Sequence, residues 1–173
     1  MLKWQSEGKY LSVQVDRLNK SGKAINTSFE IFDVQNLNKI TTEILPMPKS
    51  ETVRLFEWEP TGNRFAIIHA EGNSPKCKVS FYQLGKKKLL HRATLENRNA
   101  KNLFWSPRGS YLVIGGQNGS IEFYNAVLGE TMAEADHYGV SALKWDPTGR
   151  YVCTYVSAWR SAVCIFWDGF PSF

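Results

Sequence analysis

Residues 143–154 read "LKWDPTGRYVCT". A tryptophan closes a run of alternating apolar positions, an acid and a Pro-x-Gly segment follow, and an aromatic opens the next hydrophobic run. Alternation of this kind marks a half-buried strand. Proline fixes φ and cannot donate to a sheet ladder, so it suits a turn. Glycine admits φ > 0 and closes the turn. The phrase is therefore strand, tight turn, strand.

Three more stretches share its register: "LKWQSEGKYLSV" from Leu2, "FEWEPTGNRFAI" from Phe56 and "LFWSPRGSYLVI" from Leu103. Trp4, Trp58, Trp105 and Trp145 are each followed four residues later by Gly8, Gly62, Gly109 and Gly149. An apolar residue stands two positions before each tryptophan, and another three positions after each glycine. The tryptophans lie 54, 47 and 40 residues apart, close to the repeat of about 40–45 residues of a four-stranded propeller blade.

A second phrase follows each copy: "FEIFD" from Phe29, "VSFYQ" from Val79, "IEFYN" from Ile121 and "CIFWD" from Cys164. It predicts a third strand. "KITTEIL", "LLHRATL" and "ETMAEA" predict a fourth in three copies. Each unit then holds antiparallel strands of about five or six residues. Length variation falls between the second and third strands, where loops tolerate insertion. "DRLNKSGKAINTS" predicts the longest of these loops. "GGQNGS" is the shortest and carries the hairpin signal Asn118-Gly119.

The prediction is an all-β, WD-repeat-like β-propeller segment. It has about four antiparallel four-stranded blades, over about 1–50, 51–98, 99–137 and 138–173, the last incomplete. Its outer strand is due where the sequence ends, after "GFPSF". A propeller removes sheet edges by closing radially with about 4–8 blades, so these residues read as part of a longer natural chain. No Pro/Gly/Ser-rich linker separates the copies, and one partial propeller over 1–173 is expected.

Composition agrees: 43% of residues are hydrophobic, enough for a continuous core across stacked repeats. No run approaches about 18 apolar residues, so no membrane partner is expected, and no signal peptide precedes Leu2. Cys77, Cys153 and Cys164 make no C-x-x-C and form an odd set. Reduced thiols in a cytoplasmic protein are the expectation.

His69, His91 and His137 occupy no H-E-x-x-H or Cys/His metal spacing. There is no G-x-S-x-G elbow and no Walker loop, and "GGQNG" joins two strands rather than opening a helix. No catalytic residue, metal, cofactor or small-molecule substrate is therefore expected. His137 stands just before a first strand, where WD-repeat blades often carry a histidine that bonds a Ser or Thr of the second strand near a third-strand tryptophan. Thr154 and Trp167 occupy those positions. Exposure of His137 to solvent is the alternative.

The formal charge is +5, with 21 Lys and Arg against 16 Asp and Glu. A solvated surface explains this, and so does contact with a polyanion. Candidate contacts are Lys86, Lys87 and Lys88 after the third strand of the second unit, and Arg17, Lys20 and Lys23 in the long loop. "SAWRSA" adds Trp159 beside Arg160; packing of Trp159 on its own blade is the alternative.

Taken in order, "MLKWQSEGKYLSVQVDR", "FEIF", "WEPTGNRFAIIH", "VSFY", "LFWSP" and "KWDPTGRYV" resemble the propeller of the b subunit of eukaryotic translation initiation factor 3. The resemblance runs from Met1 to about Trp167. It implies a non-enzymatic scaffold whose partners are the other subunits of the factor and the protein and rRNA of the small ribosomal subunit. It also implies an RNA-recognition domain before the propeller and a helical tail after it, neither of which is in this sequence. "GGQNGS" and the ending "GFPSF" depart from the family pattern. The propeller of the related initiation factor 2A and a general WD-repeat adaptor are the alternatives.

Overall fold

The computed structural model describes residues 1–18, 20, 24–48, 50–85, 88–158 and 161–168. The strands fall into four antiparallel sheets, each a simple meander. The first holds β1 (Leu2–Trp4), β2 (Tyr10–Leu18), β3 (Ala24–Asp33) and β4 (Thr41–Ile44). The second holds β5 (Glu51–Trp58), β6 (Arg64–Glu71), β7 (Cys77–Leu84) and β8 (Leu89–Arg98). The third holds β9 (Ala100–Trp105), β10 (Tyr111–Gly116), β11 (Ser120–Asn125) and β12 (Glu130–Asp136). The fourth is three-stranded: β13 (Ala142–Trp145), β14 (Tyr151–Ala158) and β15 (Ser161–Asp168). The chain is an all-β, WD-repeat-like propeller segment.

Register is the same in all four sheets. Each first strand ends on its tryptophan, and Trp4, Trp58, Trp105 and Trp145 lie opposite Leu11, Phe65, Leu112 and Val152. Those four lie in turn opposite Phe32, Tyr82, Tyr124 and Trp167 of the third strands. A one-residue slip would turn every side chain to the other face, so the shared register sets equivalent residues opposite one another in each blade.

The turn between first and second strands is closed by the residue after the tryptophan. Gln5, Ser106 and Asp146 each donate their amide N–H to the carbonyl five residues on and accept from the amide of Gly8, Gly109 or Gly149. Those glycines have φ of 70–74°, a left-handed conformation that a side chain disfavours. Gly62 lacks a positive φ, and its constraint is space instead: a Cβ there would lie 2.0 Å from Glu59 Oε1. That oxygen is held 2.9 Å from the Arg64 amide, and Glu59 also pairs with the Arg64 guanidinium at 2.6 Å.

Two expectations need correction. The stretch "DRLNKSGKAINTS" is not mainly loop: β2 and β3 run into it and stay paired as far as Leu18 opposite Ala24. The ladder, not a side-chain pattern, sets their extent, because each added pair satisfies backbone groups that a loop would leave to water. Strand lengths also range from three residues in β1 to ten in β3 and β8, rather than five or six.

The chain forms two compact units, Met1–Arg98 and Asn99–Phe173. In the first, Phe29, Ile31 and Leu45 of the first blade pack on Phe56, Trp58, Phe65 and Ile67 of the second. Ring stacking runs from strand to strand: Phe29 on Phe56 at 4.8 Å, Phe56 on Phe65 at 4.6 Å, Phe65 on Tyr82 at 5.3 Å. In the second unit, Val113, Ile121 and Phe123 pack on Leu143 and Val152. Six consecutive residues of β6, Phe65–Ala70, are buried, so both faces of this strand are covered and only His69 interrupts its apolar run.

Phe56 is fully buried at the centre of the first unit's aromatic stack. Phe56→Ala should destabilise that unit by about 3–5 kcal/mol, read as a lower midpoint in urea unfolding. An unchanged midpoint would show that the two blades do not share a core.

Candidate interaction surface

A meander fixes which connections meet. Turns joining strands one and two, and three and four, gather at one end of each blade. The amides of Val34, Leu84 and Ala126 donate there to the carbonyls of Lys9, Asn63 and Ser110. We call this the turn rim. Hairpins joining strands two and three meet the chain passing to the next blade at the opposite end, the hairpin rim.

On the turn rim, successive blades are stitched by polar contacts. The Trp58 indole N–H donates to Lys3 O at 3.3 Å, and that of Trp145 to Phe104 O at 2.9 Å. Both acceptors precede a first-strand tryptophan. In the first unit, Gln5 Nε2 also donates to Gly62 O at 2.9 Å and Ser6 Oγ to Pro60 O at 2.6 Å, and Lys3 pairs with Glu57. Trp4 itself is 55% exposed. The Asp146 carboxylate accepts from the amides of Thr148, Arg150 and Tyr151 at 3.0, 2.9 and 2.8 Å. The Thr148 hydroxyl, and after it these amides, hold its carboxyl down to about 2.

The turn rim also displays apolar side chains on capped turns, which composition and motif reading missed. Asn125 Oδ1 accepts from the amides of Val127 and Leu128 at 2.9 and 3.0 Å, leaving those side chains 64% and 68% exposed. Asn36 caps the corresponding turn of the first blade, where Leu37 is 80% exposed. The signal available was the asparagine at the head of "NLNK" and "NAVLG".

At the hairpin rim, His137 is buried and held at two points. Its amide donates to Gly119 O at 2.8 Å, and its Nδ1 lies 2.7 Å from Thr154 Oγ1. The next residue, Tyr138, is 90% exposed. A cleft of ≈ 120 Å³ opens nearby, with Lys101, Asn102, Gln117 and Ser141 around Phe104 and Leu143.

Of the candidate cations, the two whose exposure is described lie apart. Lys20 is exposed at the hairpin rim, whereas Lys88 is exposed in the β7–β8 turn, at the turn rim. Arg17 lies in β2 opposite Asn26, and Trp167 in β15 opposite Val152; their side chains lie outside the described residues. Lys23, Lys86, Lys87, Trp159 and Arg160 lie wholly outside them.

A polar chain, buried at His69 and Ser80, crosses the second blade. His69 Nδ1 lies 2.6 Å from Glu51 Oε2, and its Nε2 lies 2.8 Å from Ser80 Oγ. Ser80 Oγ is 2.7 Å from Thr94 Oγ1, which is 2.8 Å from His91 Nε2. The Glu-His-Ser order resembles an acyl-transfer triad, but Ser80 is 1% exposed and bonded on both sides, so its hydroxyl faces no substrate. Among the described residues no group of three His, Cys, Asp or Glu is placed to hold a metal ion. No helix among them is long and apolar enough to cross a membrane.

Comparison with known proteins adds identity to this geometry. The family model described as "Eukaryotic translation initiation factor eIF2A" matches residues 1–166. The b subunit of eukaryotic translation initiation factor 3 from Xenopus laevis is 38% identical over 94% of this chain and 23% of its own length. The corresponding proteins of Neurospora crassa and Dictyostelium discoideum are 38% and 36% identical, over 94% and 91% of the chain. The chain thus spans about a quarter of the length of the curated relatives it matches. Among solved structures, a chain described as the "Crystal structure of the eukaryotic initiation factor" aligns over 95% of this chain and 51% of its own, with a TM-score of 0.53 at 13% identity. A chain of a mitotic checkpoint complex aligns over 100% and 49%, with a TM-score of 0.65 at 15% identity. These two likenesses concern fold alone.

Two measurements check the rims. Gly119 and Gly139 have φ of 85° and 73°, but a Cβ on Gly119 would lie 2.2 Å from His137 O, whereas one on Gly139 would meet only Val156 at 3.8 Å. Gly119→Ala should therefore destabilise the second unit by more than about 1 kcal/mol, and by clearly more than Gly139→Ala; equal losses would mean that His137 is not docked there. The Asp146 carboxyl should titrate near 2 by carbon NMR, below the ordinary value of about 3.9. Its folded value is depressed, so its stabilisation is complete above that ordinary value and lost as pH falls through 2. An ordinary midpoint would mean that the turn bonds are absent.

Proposed function

The chain belongs to the eukaryotic translation initiation factor eIF2A family, and from that premise we propose that it is a non-enzymatic interaction module of a translation initiation factor, of the kind found in the b subunit of factor 3. The observation that carries this is similarity at 38% identity to that protein along 94% of the chain. In this reading the module works in the cytoplasm, helps assemble the factor from its other subunits, and helps position it on the small ribosomal subunit through protein and rRNA contacts. No cofactor takes part.

Two features of the blades support a binding role. Interior polar groups such as Glu59, Ser80 and Asn125 are engaged in turn caps and the chain through His69, so their role is structural. The surface offers cations at both ends of the first unit, Lys20 at one and Lys88 at the other. Backbone-held apolar side chains, such as Leu37 and Leu128, lose little freedom on binding and suit protein partners. A second reading, the propeller of factor 2A itself, is favoured by the name of the matching family model. Co-purification with factor 3 subunits separates the two readings.

Within the full-length parent protein, two charge reversals test the ribosome contact: Arg17, Lys20 and Lys23 to Glu, and separately Lys86, Lys87 and Lys88 to Glu. Each contributing set should weaken cosedimentation with small ribosomal subunits and flatten its salt dependence by about one unit of slope for every phosphate no longer touched. Because the described members Lys20 and Lys88 lie at opposite ends of their blades, the two sets should act independently. Unchanged cosedimentation for both sets would rule out the basic-loop contact.

A further inference from the structure

The chain through His69 draws one residue from β5, one from β6, one from β7 and two from β8. Hydrogen-bond valence dictates its direction. The Glu51 carboxylate only accepts, so a neutral His69 must carry its proton on Nδ1 and present Nε2 as an acceptor. Ser80 has a single hydroxyl hydrogen, and Nε2 takes it. The Ser80–Thr94 contact then requires Thr94 to donate. With that hydrogen used, the Thr94–His91 contact requires His91 to donate from Nε2. Every bond points toward Glu51, and no alternative satisfies all four contacts while both rings are neutral.

We propose that Glu51, His69, Ser80, Thr94 and His91 form a one-way hydrogen-bond relay that couples the protonation state of buried His69 to the exposed ring of His91 on the outer strand. With both rings neutral, His91 keeps an unprotonated Nδ1, which fits a donor on a partner, such as a hydroxyl or an amide N–H. When His69 takes a second proton from solvent on Nε2, Ser80 must accept there and turn its own hydrogen to Thr94. Thr94 is then free to turn its hydrogen toward His91 Nε2, and a neutral His91 shifts its proton to Nδ1. The surface atom changes from acceptor to donor without any backbone movement.

The surroundings favour this arrangement. His69 is 5% exposed and Ser80 1%, so water does not compete for the inner bonds. The ring bonds Glu51 from β5 and Ser80 from β7; Tyr82 of β7 and Thr94 of β8 also bond Ser80, and Lys78 of β7 stands between Glu51 and Glu96 of β8. Lys78 lies 3.2 Å from Glu51 Oε1 and 3.5 Å from Glu96 Oε2. Burial raises the Glu51 pKa, but the bonds from His69 and Lys78 outweigh it and leave the carboxyl below its ordinary value. The acceptor end is therefore held as a carboxylate. His91 is exposed and its ring sits edge-on to Tyr82 at 5.2 Å, which fixes its plane.

Ring-nitrogen NMR of the 173-residue chain tests the relay, with His137 as an internal control because its partner is Thr154. At about pH 8, His69 should carry its proton on Nδ1, the tautomer that the relay demands. On lowering the pH, the His91 nitrogens should show a second step at the midpoint of His69. Thr94→Val should abolish that step, and Thr94→Ser, which keeps the hydroxyl, should retain it. Protonation of His69 on Nε2 at high pH, absence of the second step in the unaltered chain, or its persistence in Thr94→Val would each overturn the relay. If Thr94→Val does not fold, the first two readings on the unaltered chain still decide.

Discussion

An indole N–H is a donor that a buried tryptophan must satisfy, and in this fold it is satisfied by the neighbouring sheet. Trp58 reaches Lys3 O and Trp145 reaches Phe104 O, each a carbonyl one residue before the other blade's tryptophan. Such a bond contributes about 1 kcal/mol net, but leaving the donor unmet costs more. The consequence is geometric: the ends of two first strands are held level, and their turns come together. The contacts of Gln5 with Gly62 and of Ser6 with Pro60 depend on that alignment. So does the aromatic stack from Phe29 to Tyr82, because stacking at 4.6–5.3 Å tolerates little sliding.

Much of the fold was legible because the repeat writes the same constraint four times. A tryptophan, a glycine four residues on and an apolar residue three beyond that appear in each blade, and pairing of Trp58 with Phe65 or Trp145 with Val152 follows. The third-strand aromatics Phe32, Tyr82 and Tyr124 were legible for the same reason. The residue that closes the turn was not: Gln5, Glu59, Ser106 and Asp146 share a position and an acceptor oxygen but no chemical class. The extent of β2 and β3 was hidden too, because Asn, Lys, Ser and Gly dominate the local signal while the ladder is a property of two strands together.

The candidate surface was less legible than the fold. Charge patterning shows where cations lie in the sequence but not which end of a sheet carries them. The meander supplies that, and it separates Lys20 from Lys88. The chain from Glu51 to His91 was invisible for a different reason. Its members are drawn from four strands, at spacings that match no motif, and each alone reads as an ordinary strand residue. Only the cross-strand register, with Ser80 opposite Thr94 and Tyr82 opposite His91, brings them into line.

The hairpin of β2 and β3 has a practical side. It grows outward from the blade by adding cross-strand pairs, and among the described pairs the register shifts between Arg17 and Leu18. Side chains on a strand alternate between faces, so lengthening both arms by two residues preserves the facing of everything behind them, whereas one residue in one arm needs a bulge to absorb it. The blade core from Phe29 to Ile31 is insulated from such changes by the paired arms. This makes the hairpin a natural mount for a spectroscopic label or an epitope, with length adjustable in steps of two, at the rim opposite the tryptophan stitches.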